Sequence, residues 1–326
     1  MKVLVIGLGS MGKRRIRLLQ KFSEIEKIVG IDKRTDRRDE VNKIYGCETY
    51  ESMEQAVENE ADLSAAFICT SPLSHTKLIN DALKLELNVF SEINLISDGY
   101  KENIELAKKV NKVLFLSSTF YYREEIKYLK EKIKDKSNLN YIYHIGQYLP
   151  DWHPWEDYLD FFVADKRTNG CREIMAIEFP WLVGAFGTVK KYNVISNNIS
   201  KLKIDYKDNY MIQLEHENGN KGTLVVDIVS QKAVRNLEVY GENIYFSWNG
   251  TPETLQEFDE KTHKIKNVEL REEAKNIKGY SSFIVENAYQ SEIQEFIDVV
   301  NGDKVTEYGF EEDFEILKLI DCIEGA

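Results

Sequence analysis

The sequence predicts an α/β protein: a doubly wound parallel sheet over residues 1–119 and an α+β domain over residues 120–326. Three observations lead there. A glycine-rich loop sits between a short apolar run and an amphipathic helix pattern at the start of the chain. Strand-like and helix-like segments then alternate up to about Ser118, as βα units feeding one parallel sheet do. Beyond that point the alternation gives way to a strand-rich run followed by helices, which suits an α+β domain.

The opening stretch organises the rest. Val3-Leu4-Val5-Ile6 reads as a buried strand, and Ile16, Leu19 and Phe22 recur at helical spacing after it. Between them lies Gly7-Leu8-Gly9-Ser10-Met11-Gly12. Gly7 allows the tight turn, a bare Gly9 admits a pyrophosphate to the backbone, and Gly12 lets the helix pack against the strand. The free N–H groups of the helix start then face the phosphates. A second apolar run ends at Asp32, twenty residues beyond Gly12, where a carboxylate can accept from the adenosine ribose hydroxyls. Strand, loop, helix and acid together point to a dinucleotide held by Gly7, Leu8, Gly9, Ser10, Met11, Gly12 and Asp32.

Composition narrows the class. The chain has 326 residues, 43% hydrophobic and 30% charged, enough for a sizeable core and about two domains. A net charge of −12 repels phosphate backbones, so nucleic acid is not an expected partner. No apolar run approaches the ~20 residues that span a bilayer, and no membrane association is expected. Cys47, Cys69, Cys171 and Cys322 show no metal or disulfide spacing. With an apolar strand starting at once, no leader is expected, and the location expected is cytoplasmic, with reduced thiols.

Taken in order, the next charged segment is Lys33 to Arg38. It reads either as a solvated loop or as a site where Arg34 stacks on adenine or meets a 2′-phosphate. Asp32 repels such a phosphate, which favours NAD, and the neighbouring cations keep NADP open. Ala65 to Cys69 reads as a buried strand running into Thr70-Ser71-Pro72-Leu73-Ser74-His75. Here Pro72 stops the strand, and Ser74 is placed to cap a helix from about Thr76. Ligands gather at the carboxyl ends of parallel strands, which makes Thr70, Ser71, Pro72 and His75 candidate cofactor contacts, His75 equally a helix-start residue. Leu87 to Phe90 forms the next strand and ends at Ser91-Glu92; Val113 to Leu116 is the last strand of the unit.

In the second half, 141–145, 211–215, 222–229 and 237–240 are strand-like, Glu217-Asn218-Gly219-Asn220 signals a hairpin, and helices are expected over 288–300 and 311–323. The segment from Tyr148 to Tyr158 packs Trp152, His153, Trp155 and Tyr158 among carboxylates in a proline-broken loop. Flat aromatic faces beside carboxylates suit sugar rings, so these four are candidate substrate contacts; the alternative is that they anchor the loop.

The loop Gly7 to Arg15, the run Thr70 to His75 and Val89-Phe90-Ser91-Glu92 together resemble the Gfo/Idh/MocA family, the glucose–fructose oxidoreductase and inositol dehydrogenase relatives. The resemblance spans nearly the whole chain. It implies a Rossmann domain, a second domain with an open, mostly antiparallel sheet, Glu92 at the cofactor, and a homo-oligomer, dimer or tetramer, that buries the sheet's open face. The aromatic loop is similar to one in a branch associated with sugar and surface-polysaccharide metabolism. Where the family has Glu-Lys-Pro this chain has Glu92-Ile93-Asn94, and the family's Asp and His positions fall at Ile174 and Ile177. Isoleucine exchanges no proton, so any proton transfer this chain carries out takes its acid or base from elsewhere, with His153, Tyr121 and Glu173 as candidates. Three readings stay open: an NAD(P)-dependent oxidoreductase of sugars or nucleotide sugars with a non-standard acid/base, a non-catalytic dinucleotide-binding protein or assembly partner, and a non-redox sugar enzyme that retains NAD.

Overall fold

The computed structural model describes residues 1–153, 156–270 and 283–325. The first part alternates: β1 (Lys2–Ile6), α1 (Ser10–Leu19), β2 (Lys27–Ile31), α2 (Thr35–Tyr45), β3 (Glu48–Tyr50), α3 (Met53–Asn59), β4 (Leu63–Ile68), α4 (His75–Lys84), β5 (Asn88–Ser91), α5 (Tyr100–Val110) and β6 (Leu114–Leu116). Then come α6 (Glu124–Ile133), β7 (Asn140–Gly146) and α7 (Gly170–Phe186). The strands β8 (Val189–Asn197), β9 (Asn209–His216), β10 (Lys221–Asp227), β11 (Val234–Gly241), β12 (Ile244–Trp248), β13 (Gln256–Asp259) and β14 (Lys264–Asn267) follow. Helices α8 (Glu286–Asn301) and α9 (Phe310–Glu324) close the chain. Among the described residues no helix is long and apolar enough to cross a membrane.

Two compact units emerge: residues 1–118 with 289–315, and residues 119–288 with 316–326. The first unit holds a parallel sheet in the order β3-β2-β1-β4-β5-β6. The order reverses beside β1, and in such sheets ligands bind at the carboxyl ends of the strands near that reversal. Phe67, Phe90 and Phe115 are register partners on β4, β5 and β6 and stack at 4.7 and 5.2 Å. Phe296 of α8 meets all three edge-on, at 5.2, 5.6 and 5.7 Å. Four buried rings make α8 part of this core, a return that nothing in the local sequence near residue 289 announces.

The second unit holds an eight-stranded sheet, β14-β13-β12-β11-β7-β10-β9-β8, antiparallel except where β7 runs parallel to β10. The expected fold class is therefore observed. Helix α7 packs on one face, where Tyr141 stacks on Phe186 at 4.2 Å and Tyr143 meets Trp181 edge-on. Residues of the opposite face share register: Ile195 with Met211, Met211 with Val225, Val225 with His144, and Thr223 with Ile142. Ile142, Ile195 and Met211 are about half exposed or more on that face.

Candidate functional site

The glycine loop lies wholly in the first unit. Gly7 has φ +93°, a conformation that side chains rarely adopt, and a Cβ there would sit 2.8 Å from the Cys69 carbonyl. Gly12 is closed more tightly, since its Cβ would fall 1.9 Å from the Gly7 carbonyl oxygen. Gly9 differs from both. A Cβ there would meet nothing nearer than Arg37 Nη1 at 3.7 Å, so no neighbouring protein atom requires this position to be bare. Gly9 also caps α1 without a side chain, and the first turn of α1 carries no acid. A space left over a glycine at an uncapped helix start fits a dinucleotide pyrophosphate. Leu8 is buried, Ser10 begins α1 exposed, and Met11 takes a contact from Arg14 Nη1 at 3.3 Å.

Asp32 faces the same loop. Its Oδ2 accepts from the Leu8 amide at 2.8 Å and its Oδ1 from the Arg34 amide at 2.9 Å, leaving acceptor capacity on Oδ1 for a ribose hydroxyl. The Arg34 guanidinium pairs with Asp36 in an exposed bridge, 2.5 Å between Nη2 and Oδ2. Arg37, a residue with no motif of its own, reaches Asp32 Oδ2 at 3.5 Å and flanks Gly9. The available signal was its place one turn after Arg34 on α2.

At the end of β4, Thr70 Oγ1 pairs with Ser74 Oγ at 2.7 Å, and Ser74 Oγ donates to the Ser71 carbonyl at 2.8 Å. This corrects the expected cap: the Ser74 hydroxyl is used inside the loop, and Pro72 to Ser74 form a short 3₁₀ turn leading into α4. His75 is buried. Its Nε2 lies 2.9 Å from the Thr70 carbonyl, which only accepts, so Nε2 carries the proton. Its Nδ1 lies 2.7 Å from the side-chain oxygen Oδ1 of Asn94, and burial lowers the His75 pKa. Both ring nitrogens are thus committed to holding this loop.

Glu92 is fastened from below. Arg15 of α1 donates to Glu92 Oε1 at 2.5 Å and to Glu292 Oε2 at 2.7 Å, and Ser117 Oγ and the Ser118 amide donate to Glu292 Oε1. Arg15 also lies over the Phe90 ring. Removing one member of such a buried set strands the other charges, at roughly 3–5 kcal/mol. Glu292 stands 277 residues from Arg15, beyond any local sequence pattern.

The remaining candidates belong to the second unit. Trp152 donates from Nε1 to the Gln147 carbonyl at 3.1 Å, and its ring packs on Gly170, the first residue of α7. The Tyr158 hydroxyl accepts from the Lys203 amide at 3.1 Å. His153 pairs with Glu156 at 2.7 Å and stacks on Phe161 at 4.3 Å. These contacts anchor the loop, while Trp152, His153 and Tyr158 remain only half-buried. Trp155 lies outside the described residues. Tyr121 packs its hydroxyl against Gly184, with Lys130 over its ring at 4.3 Å. Gly184 is eleven residues beyond Glu173, about 16 Å along the helix, so Tyr121 and Glu173 do not form one cluster.

Helix α7 carries two glutamates of opposite character. Glu178 is fully satisfied: Tyr143 and Trp181 donate to Oε2 at 2.8 and 2.7 Å, and Arg235 donates to Oε1 from Nε and Nη2. Glu173 has a buried Oε2 with no hydrogen-bond partner. Burial pushes its pKa up to about 7. Ile177, one turn on, is half-buried beside it on the helix, whereas Ile174 is turned into the core at 7% exposure. Ile93, in the first unit, is half-buried.

Comparison with known proteins fits this geometry. Residues 1–118 match the model of the Gfo/Idh/MocA oxidoreductase family, NAD-binding Rossmann fold. No curated protein matches the sequence. Among solved structures the whole chain is similar to a levoglucosan dehydrogenase in complex with NADH and levoglucosan, with TM-score 0.80, 15% identity and coverage of 99% of this chain and 96% of that one. It is similar to the UDP-N-acetylglucosamine 3-dehydrogenase of Acidithiobacillus ferrooxidans, with TM-score 0.78, 16% identity and coverage of 100% and 97%. It is also similar to the WlbA dehydrogenase of Bordetella pertussis in complex with NADH and UDP-GlcNAcA, with TM-score 0.74, 13% identity and coverage of 99% and 95%. At these identities the likeness is one of fold.

Proposed function

We propose that this chain, whose first 118 residues belong to the Gfo/Idh/MocA oxidoreductases with an NAD-binding Rossmann fold, is an NAD(P)-dependent dehydrogenase of a sugar or nucleotide sugar in which Glu173 takes the proton. The cofactor, when bound, accepts the hydride. Gly9 and the open start of α1 would hold its pyrophosphate, and Asp32 its adenosine ribose. Oxidising a carbinol removes the C–H hydrogen with its electron pair and leaves the O–H proton to a base, giving a ketone. Of the three candidates, His153 is paired with Glu156, and Tyr121 is packed against Gly184. The single observation that carries the assignment is the buried, unpartnered Oε2 of Glu173, poised near neutral pH, where a general base is most useful. The neighbours that act on levoglucosan and UDP-N-acetylglucosamine support a sugar-like substrate, and the half-exposed rings of Trp152 and Tyr158 would fence it.

The test is NADH formation across a panel of sugars and UDP-sugars. Glu173→Gln is expected to lower kcat/KM by about 10²–10⁴ while leaving NADH affinity within twofold. Full activity in Glu173→Gln on an accepted substrate would remove Glu173 from this role. The same reading extends to assembly: a second copy would cover the apolar sheet face of Ile142, Ile195 and Met211, and a monomer in light scattering at about 50 μM would contradict it.

A further inference from the structure

Along one face of α7, within the second unit, stand Gly170, Glu173 and Ile177, each about one turn after the last. Gly170 is bare and covered: a Cβ there would lie 3.1 Å from Ile228, 3.2 Å from Leu149 and 3.5 Å from the Trp152 ring. The Trp152 ring therefore closes the amino-terminal end of this face. In an α-helix the Cα–Cβ bonds tilt toward the amino terminus, so a side chain covers the turn before its own. Ile177 accordingly covers the surface between itself and Glu173, and Trp152 lies on the other side of Glu173. Trp152, Glu173 and Ile177 are all half-buried, so each presents part of its surface.

A sugar whose hydroxyl gives its proton to Glu173 lies along this face, with its C–H surface suited to the Trp152 ring. One carbon beside the reacting carbinol is then directed at Ile177. Cβ atoms one turn apart stand about 5–6 Å from each other. A hydroxyl on that neighbouring carbon projects by a single bond, and isoleucine offers it no partner. A hydrogen in its place falls short of the isoleucine and forfeits the contact. An acetamido group is a trans peptide unit, whose methyl carbon stands about 3.8 Å from the ring carbon. That reach spans the turn and sets a methyl group on Ile177.

We propose that Ile177 is a specificity-determining residue and that the site selects a sugar carrying an acetamido group on the carbon next to the oxidised carbinol. The proposal rests on reading Glu173 as the base. It is tested by binding, which requires no proton transfer.

The full-length protein, saturated with NADH, is titrated by calorimetry with UDP-N-acetylglucosamine against UDP-glucose, and with N-acetylglucosamine against glucose. Within each pair the sugars differ only in acetamido for hydroxyl. One alkyl group in an apolar contact discriminates by about 10–200-fold, so the acetamido sugar is expected to bind at least about tenfold tighter in one pair or both. Which pair shows it tells whether the nucleotide is needed. Ile177→Asn gives a hydroxyl its partner and is expected to bring the ratio within about twofold. Should that variant fail to fold, Ile177→Thr is judged by the same ratio.

Equal affinities within both pairs overturn the proposal, as does binding by none of the four sugars, or a ratio that the Ile177 variant leaves unchanged. Glu173→Gln decides the other reading. If it keeps both the binding ratio and full turnover, Ile177 stands as the specificity residue and Glu173 is not the base.

Discussion

Helices α1 and α7 both begin at functional candidates, and their N-termini are finished in opposite ways. Gly9 caps α1 with no side chain, and a Cβ there would meet only Arg37, at 3.7 Å. Asn169 caps α7 with its own oxygen, and Arg172, Asp321 and Glu324 tie that cap into the protein. The first helix start offers backbone N–H groups to an external anion. The second has its Arg172 amide capped by the Asn169 side chain, and beside it Oε2 of Glu173 is buried without a hydrogen-bond partner. An anion site made of backbone is insensitive to pH, whereas a site made of one desolvated carboxyl is governed by it.

The contrast is broken most severely at Gly12. Gly12→Ala forces a methyl group into the Gly7 carbonyl and is expected to destabilise the protein by about 3 kcal/mol or more, read from the urea midpoint. A midpoint equal to that of the parent would mean that the loop is not packed as described. Gly9→Ala sharpens the same point from the other side. Its methyl group would make only ordinary van der Waals contact with Arg37, so stability should hold within about 0.5 kcal/mol while NADH binding weakens at least about tenfold by calorimetry. Equal effects of the two substitutions on stability would show that Gly9 is bare for the protein's sake and not for a ligand.

Asp32→Ala should act more mildly. NAD loses a ribose acceptor, while NADP loses a repulsion along with it, so NAD is expected to weaken several-fold more than NADP in parallel titrations. The reverse order would point to a cofactor phosphate held beside Arg37. The smallest effect concerns pH. The Glu173 pKa is raised by burial to about 7 from an ordinary 4.5, so the native state binds more protons than the unfolded chain between those values. Its contribution to stability is present below pH 4.5 and lost as pH rises through about 7. Glu173→Gln should therefore raise the Tm at pH 8 by about 2 °C and leave it unchanged at pH 4. A lower Tm at pH 8 would mean that the carboxylate is stabilised in the fold, contrary to its unpartnered oxygen.

Much of the first unit was legible because its rules are local. The strand, the glycines, the helix and Asp32 fall within about thirty residues, and each spacing has a steric or electrostatic reason that acts on neighbours. The aromatic loop was legible as unusual but not in its detail: whether Trp152 fences a ligand or packs on Gly170 depends on residues the loop does not contain. Ser74 illustrates a local rule defeated locally. Its hydroxyl could cap a helix, yet the 3₁₀ turn of Pro72 to Ser74 aims it at Thr70 and Ser71 instead.

By itself the sequence determined the Rossmann-type start and the change of architecture near Ser118, and it offered a short set of polar groups as candidates for proton transfer. Tertiary structure decided which of those groups is available. Glu173 and Glu178 are the same residue on one helix, five positions apart. Glu178 is paired with Arg235, 57 residues away, whereas Oε2 of Glu173 is buried without a hydrogen-bond partner. The return of residues 289–315 to the first unit is of the same kind, since Phe296 is an ordinary helical aromatic until Phe67, Phe90 and Phe115 are brought beneath it. Proton affinity and burial are set by whatever comes within a few ångströms in space, and sequence distance carries no information about that.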